Sequence, residues 1–153
     1  AATAICVQAA LDGLKEIRVF NIKDQFYGRL EKLTDNITAK TSCKVTLHDL
    51  ADEQALYDSI AASDILTNGT SVGMAPNVDA CLIKNTDVFR ESLIVSDVIY
   101  NPEQTKLLKL ASEKGCPTFN GLYMLLYQGA AAFKIWTGQD MPVDIIKEKY
   151  FSR

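Results

Sequence analysis

The sequence predicts an α/β fold, a parallel sheet doubly wound by helices, and three observations lead there. Strand-like apolar runs alternate with stretches of helical periodicity along the whole chain, the pattern of strands joined by crossover helices. Within it, residues 93–99 read Leu-Ile-Val-Ser-Asp-Val-Ile, a β-branched-rich run interrupted only by Ser96 and Asp97, as expected of a strand buried on both faces. That run breaks at Asn101-Pro102, and Thr105 then opens a helix with Leu107, Leu108 and Ala111 on one side. Pro102 cannot donate to a ladder and pushes Asn101 out of the helical region, so the chain must turn there. A strand that hands over to a helix sets its last polar residues, Asp97, Tyr100 and Asn101, at the carboxyl end of the sheet, where open α/β sheets bind ligands.

The other elements follow from the same rules. Residues 1–11 are rich in small side chains, with Ala2, Ile5, Cys6 and Ala9 on one face and Gly13 placed to end a helix. Residues 16–21 form a short strand, 22–24 a turn, and 25–40 a helix with Phe26, Leu30, Leu33 and Ile37 at helical spacing. A strand over 43–47 follows, then a helix whose start is flanked by Asp49 and Asp52 and whose inner face is Leu56, Ile60 and Ala61. Residues 64–68 make the next strand, and 69–77 a loop with two glycines and a proline. Residues 75–90 are a polar connection with a short turn of helix. After the strand at 93–99 the helix runs to Lys114 and is closed by Gly115; 116–119 is a last short strand, whose Pro117 suits a first position or an edge. Asn120 caps a helix to Thr137 with a core stripe of Leu122, Leu125, Leu126, Phe133 and Trp136, and Pro142 opens a final helix to Tyr150.

Length and composition set the limits. At 153 residues with 48% hydrophobic content and a net charge of −3, the chain suits one globular domain with a real core and carries no basic footprint for nucleic acid. The apolar uncharged window 121–133 is too short to span a bilayer. Cys6, Cys43, Cys81 and Cys116 are far apart, show no Cys-x-x-Cys and have a single histidine for company. They read as buried free thiols of a reducing, cytoplasmic compartment rather than a metal site or disulfide framework. The chain begins Ala1-Ala2-Thr3-Ala4-Ile5 without Met, already helical in character, as though cut from something longer.

Two groups of residues suggest chemistry. On the helix after Asn120, Gly121, Met124 and Gln128 follow one another at spacings of three and four and share a side distinct from the core stripe. Such a line could border a flat ring and a polyhydroxy substrate; its ordinary reading is a packed thioether and a solvated amide. After the first visible strand come Asn21, Lys23 and Asp24. In dinucleotide-binding folds an acid about 20 residues past the glycine turn bonds the adenosine ribose, and a basic residue there accommodates a 2′-phosphate. Asp24 leans toward NAD and Lys23 keeps NADP open, while plain turn chemistry accounts for the same residues.

Taken together, Asn68-Gly-Thr-Ser-Val-Gly-Met74, Asp97-Val-Ile-Tyr-Asn-Pro102 with Thr105 and Leu107-Leu108, and Gly121-Leu-Tyr-Met-Leu-Leu-Tyr-Gln128 with Phe133 and Trp136-Thr-Gly138 resemble the nucleotide-binding half of the shikimate and quinate/shikimate dehydrogenase family. The likeness covers essentially the whole chain, and Ala1 to Ile5 resemble the helix that follows that family's Gly-x-Gly-Gly turn. It implies a Rossmann-type sheet that lacks its first strand and its glycine-rich turn. It also implies roles. Asn21, Lys23 and Asp24 would sit at the adenosine ribose, with Ile22 where the family often has the arginine that meets the NADP phosphate, which strengthens the lean to NAD. Thr67, Asn68, Gly69 and Val72 would form the loop under the nicotinamide side of the cofactor. Tyr100, Gly121 and Met124 would border the nicotinamide, and Gln128 would reach a hydroxyl of shikimate or quinate.

The implied activity is nicotinamide-dependent interconversion of shikimate, or quinate, with its 3-dehydro compound in aromatic amino-acid biosynthesis or quinate use. The family's hydride transfer uses a lysine and an aspartate from an amino-terminal substrate domain, neither of which is in this sequence, so this segment alone should not react. The competing readings are a non-catalytic Rossmann-like module that binds a nucleotide or a protein, and a related folate or amino-acid dehydrogenase. In the usual strand order the missing first strand would be central, leaving the strands around Val19 and Leu66 without a shared neighbour. Either ordered residues precede the chain, or an altered sheet or an intermolecular contact, including a homo-oligomer, covers those edges.

Overall fold

An alanine-rich segment starts the chain as a helix, α1 (Ala2–Leu11), which ends at Asp12 and turns through Gly13 at φ +94°, a conformation that favours glycine. The computed structural model describes residues 1–151 and divides into two units, Ala1–Gly69 and a second that begins at Thr70. In the first, β1 (Glu16–Asn21) and β2 (Lys44–Asp49) pair in parallel, in register from Glu16 opposite Lys44 to Asn21 opposite Asp49. A parallel pair needs a crossover, supplied by α2 (Tyr27–Lys40). Ala10, Ile37, Cys43 and Val45 form the buried centre of this unit, with Cys6, Val7, Ile17, Val19 and Leu33 packed against them. Thr38 completes the seam: its hydroxyl donates to the Val45 carbonyl (3.3 Å) and accepts from the Val45 amide (3.0 Å), satisfying backbone groups that would otherwise be stranded beside the core.

The unit continues through α3 (Glu53–Ala61), capped by Asp52, whose carboxylate accepts from the Ala55 amide, and ends on β3 (Ile65–Asn68). The sheet that holds β1 has two strands, so β1 and β3 share no ladder among the described residues; the altered sheet in which they pair directly is not the one found. Ala2, Phe26 and Ala61, assigned to inner faces by spacing, are exposed, and Ala10 is buried in their stead. Phe26 is the N-cap of α2, ahead of its first full turn, and its ring lies in solvent rather than on the buried side.

In the second unit a 3₁₀ turn (Thr86–Val88) interrupts the long connection before β4 (Ile94–Asp97). Leu93, Val95, Ser96 and Asp97 are all buried, the two-sided burial expected of this strand. The helix α4 (Lys106–Glu113) returns the chain to β5 (Thr118–Phe119), parallel to β4 with Val95 opposite Thr118. Leu107, Leu108 and Ala111 are buried, as their spacing requires, and Gly115 closes the helix at φ +82°. Then come α5 (Leu122–Thr137), ended by Gly138 at φ +71°, and α6 (Val143–Tyr150).

Along α5 only the first part of the predicted core stripe is covered: Leu126 is buried, whereas Trp136 is 82% exposed. Periodicity tells which side of a helix is apolar and not how far along its length a neighbour reaches. No helix among the described residues is long and apolar enough to cross a membrane.

All four cysteines are free, Cys43 and Cys116 fully buried and Cys6 and Cys81 partly so. Burial pushes each thiol above its ordinary value, reinforced for Cys6 by Cys43 and for Cys43 by Glu16. The neutral thiol is therefore the form the fold favours. Its contribution to stability is complete below the unfolded-state pKa and is lost as pH rises through the folded-state pKa. Alkylation by iodoacetamide at pH 7.5 should be at least about tenfold slower in the folded chain than in urea. Equal rates would show that the thiols are not shielded.

Candidate functional site

The carboxyl end of β4 is held by one buried carboxylate. Asp97 is 3% exposed; its Oδ1 accepts from the Ile99 amide at 3.0 Å and its Oδ2 from the Thr105 hydroxyl at 2.8 Å. Thr105, 1% exposed, also receives the Leu108 amide at 3.4 Å as the N-cap of α4. The two ends of the loop that carries Tyr100 are thus tied together beneath it. Asn120 adds a second brace, donating to the Glu103 carbonyl (2.8 Å) and accepting from the Leu122 amide (3.0 Å).

Gly121 joins this loop to α5. Its amide donates to the Ile99 carbonyl at 3.0 Å, and a Cβ built on it would lie 1.9 Å from the Val98 carbonyl oxygen. Only a residue without a side chain allows the two backbones this close. The contact brings the chain at Tyr100 to the start of the helix on which Met124 and Gln128 follow at helical spacing; Tyr100, Met124 and Gln128 are all exposed. Val72 is half-buried in the loop before this region, its amide donating to Thr70 Oγ1 (3.0 Å). Next to it Gly73, at φ +99°, packs its α-carbon side against Thr105 and Ala80.

The remaining predicted residues belong to the first unit. Thr67 is exposed and Asn68 buried at the end of β3. A Cβ on Gly69 would stand 2.7 Å from that of Ala2, so this loop runs tightly against the first turn of α1. At the carboxyl ends of β1 and β2, Asn21 lies opposite Asp49. The Asn21 side-chain Nδ2 donates to the Ile22 carbonyl (2.9 Å), and Asp24 Oδ1 accepts from the Phe26 backbone amide (2.9 Å) ahead of α2. Both therefore take part in turn chemistry. Lys23 pairs with Asp49 at 3.5 Å and lies over the Tyr27 ring at 5.9 Å.

Sequence reasoning passed over Asp49 as a site residue, reading it only as a flank of α3. Its signal was available, an acid ending the strand next to the one that ends in Asn21. His48, one residue earlier, stacks on Phe20 with ring centroids 4.9 Å apart and bonds Thr46 at 2.9 Å. Among the described residues no group of three or more His, Cys, Asp or Glu could hold a metal ion.

The model of the shikimate 5′-dehydrogenase C-terminal domain matches residues 121–149, from Gly121 through most of α6. Over 151 residues, 99% of this chain, the sequence is 55% identical to a curated shikimate dehydrogenase (NADP(+)) of Listeria monocytogenes, and covers 52% of it. The crystal structure of shikimate 5-dehydrogenase from Listeria monocytogenes in complex with shikimate and NAD superposes with a TM-score of 0.91 at 55% identity, over 97% of this chain and 51% of that one. Quinate dehydrogenase from Corynebacterium glutamicum in complex with NAD gives a TM-score of 0.81 at 27% identity, over 99% of this chain and 51% of that one. These neighbours share the α/β architecture predicted from the alternation of strands and helices, and the Rossmann-like fold that the family resemblance implies. In fold and in sequence the chain is similar to shikimate dehydrogenases, over a stretch that spans about half the length of those relatives.

Proposed function

We propose that this chain is the nicotinamide-dinucleotide platform of a cytoplasmic shikimate dehydrogenase of aromatic amino-acid biosynthesis, with quinate as the alternative substrate. The observation that carries the reading is the Gly121 contact, which sets Tyr100 at the start of the helix bearing Met124 and Gln128, in a chain 55% identical to a shikimate dehydrogenase.

The residues present fit a dinucleotide. Asp24 keeps its second carboxylate oxygen without a hydrogen-bond partner among the described residues and open to a ribose hydroxyl, with Asn21 and Lys23 beside it. Thr67, Asn68 and Gly69 of the first unit, and Val72, Tyr100, Gly121 and Met124 of the second, are the residues assigned by the family resemblance to the nicotinamide side. When bound, the dinucleotide supplies the hydride acceptor or donor. The chain's own part is to orient that ring, keep water from its face with the Tyr100 and Met124 side chains, and hold a substrate hydroxyl at Gln128. The proton is handled by an acid–base pair in the portion of the relatives' length that this chain does not span, so its own lysines are given no such role.

Calorimetric titration should show saturable binding of NAD⁺ to the chain, and the same sample supplied with shikimate and NAD⁺ should give no rise in reduced-cofactor absorbance. Absence of binding would remove the platform reading. Turnover by the chain alone would place the acid–base pair within these residues.

A further inference from the structure

Resting on the dinucleotide reading above, we infer that Asp49 sets the choice between the two nicotinamide dinucleotides by occupying Lys23, the cation of the ribose turn. Nothing in the turn sequence singles it out, since Lys23 and Asp24 point to opposite cofactors. The fold resolves the conflict.

Asp49 ends β2 directly opposite Asn21, which ends β1, so its carboxylate belongs to the same sheet end as the ribose turn. It is half-buried, and both oxygens are committed: Oδ1 accepts from the Ala51 amide at 2.9 Å and Oδ2 faces Lys23 Nζ at 3.5 Å. The Ala51 bond fixes the carboxylate in place. Lys23 is the more exposed partner, at 63%.

An exposed ion pair of this kind adds little to stability, and its effect is electrostatic. A 2′-phosphate at this turn would have to win Lys23 from Asp49 and would then lie near two carboxylates, Asp24 and Asp49. A plain ribose hydroxyl meets no such penalty and finds an acceptor in Asp24. One unit charge removed from within a few ångströms of a phosphate dianion near the surface changes affinity by about tenfold.

The test measures the dissociation constants of NAD⁺ and NADP⁺ by calorimetry for the wild-type chain, Asp49→Asn and Asp49→Ser. Both substitutions keep an oxygen that can accept from the Ala51 amide while removing the charge. The wild type should prefer NAD⁺. In either variant the ratio of the NADP⁺ constant to the NAD⁺ constant should fall about tenfold, and adding Lys23→Gln should reverse that fall. A wild-type preference for NADP⁺, a ratio unchanged within about twofold in a variant that still binds NAD⁺, or a gain that survives Lys23→Gln would each overturn the role of Asp49. If the wild-type chain binds neither dinucleotide, the platform reading fails instead and this inference goes with it.

Discussion

Replacing Gly121 by alanine should cost about 3 kcal/mol or more of folding stability and lower the melting temperature by roughly 10 °C. The added carbon would meet Val98 O at 1.9 Å, Val98 C at 2.5 Å and Val98 Cα at 3.2 Å. All three are backbone atoms at the end of a buried strand, so no side chain can swing aside to make room. The backbone at Gly121 has φ −77°, which any residue adopts; glycine is required here for space, not for conformation. Relief must come from moving α5 away from the loop by more than an ångström, and that motion breaks the Gly121 to Ile99 hydrogen bond. Urea unfolding of the purified variant reads the loss directly. A destabilisation below about 0.5 kcal/mol, the scale of an ordinary surface change, would mean that the two backbones are not in this contact. Because the same contact positions Tyr100 beside α5, the NAD⁺ affinity of the folded variant should fall as well.

Why some of this was legible from the residues and some was not has a physical cause. The strand at Leu93 to Asp97 announced itself because burial on both faces leaves an unbroken apolar run, and Thr105 because an N-cap needs a short side-chain oxygen just ahead of an apolar turn. Local rules decide such elements. Trp136 defeated the same reasoning, since its exposure depends on what lies against the last turns of α5 and no spacing encodes that. Likewise Phe26 sits at helical spacing from Leu30, but as the N-cap of α2, with its amide held by Asp24, its ring is left exposed. The site divides in the same way. Gly121, Met124 and Gln128 could be aligned on one helix from their spacing alone, whereas the pairing of Lys23 with Asp49 joins two strands through their register and becomes visible only once that register is known. Asp97 lies between these cases: its position at the strand end was readable, and its grip on Ile99 and Thr105 was not.

Removing that grip should be the second most damaging change. Asp97→Ala strips the acceptors from the Ile99 amide and the Thr105 hydroxyl, both in buried surroundings, and should cost about 3 kcal/mol. Asp97→Asn should cost less, about 1 kcal/mol, because one amide oxygen still serves one donor while the rotatable Thr105 hydroxyl can turn to accept from the amide nitrogen. Thr105→Val keeps the volume but loses both the bond to Asp97 and the cap on the Leu108 amide, for about 2 kcal/mol. If the carboxylate and the hydroxyl work as one latch, combining Asp97→Ala with Thr105→Val should cost at least about 1 kcal/mol less than the sum of the two. Strict additivity in urea unfolding would show that they act separately. The latch lies under the loop that carries Tyr100, so dinucleotide binding should weaken in these variants at temperatures well below their melting points. Unaltered NAD⁺ affinity in a folded Thr105→Val protein would show that Tyr100 keeps its place without the latch, and would take from Asp97 its part in shaping the site.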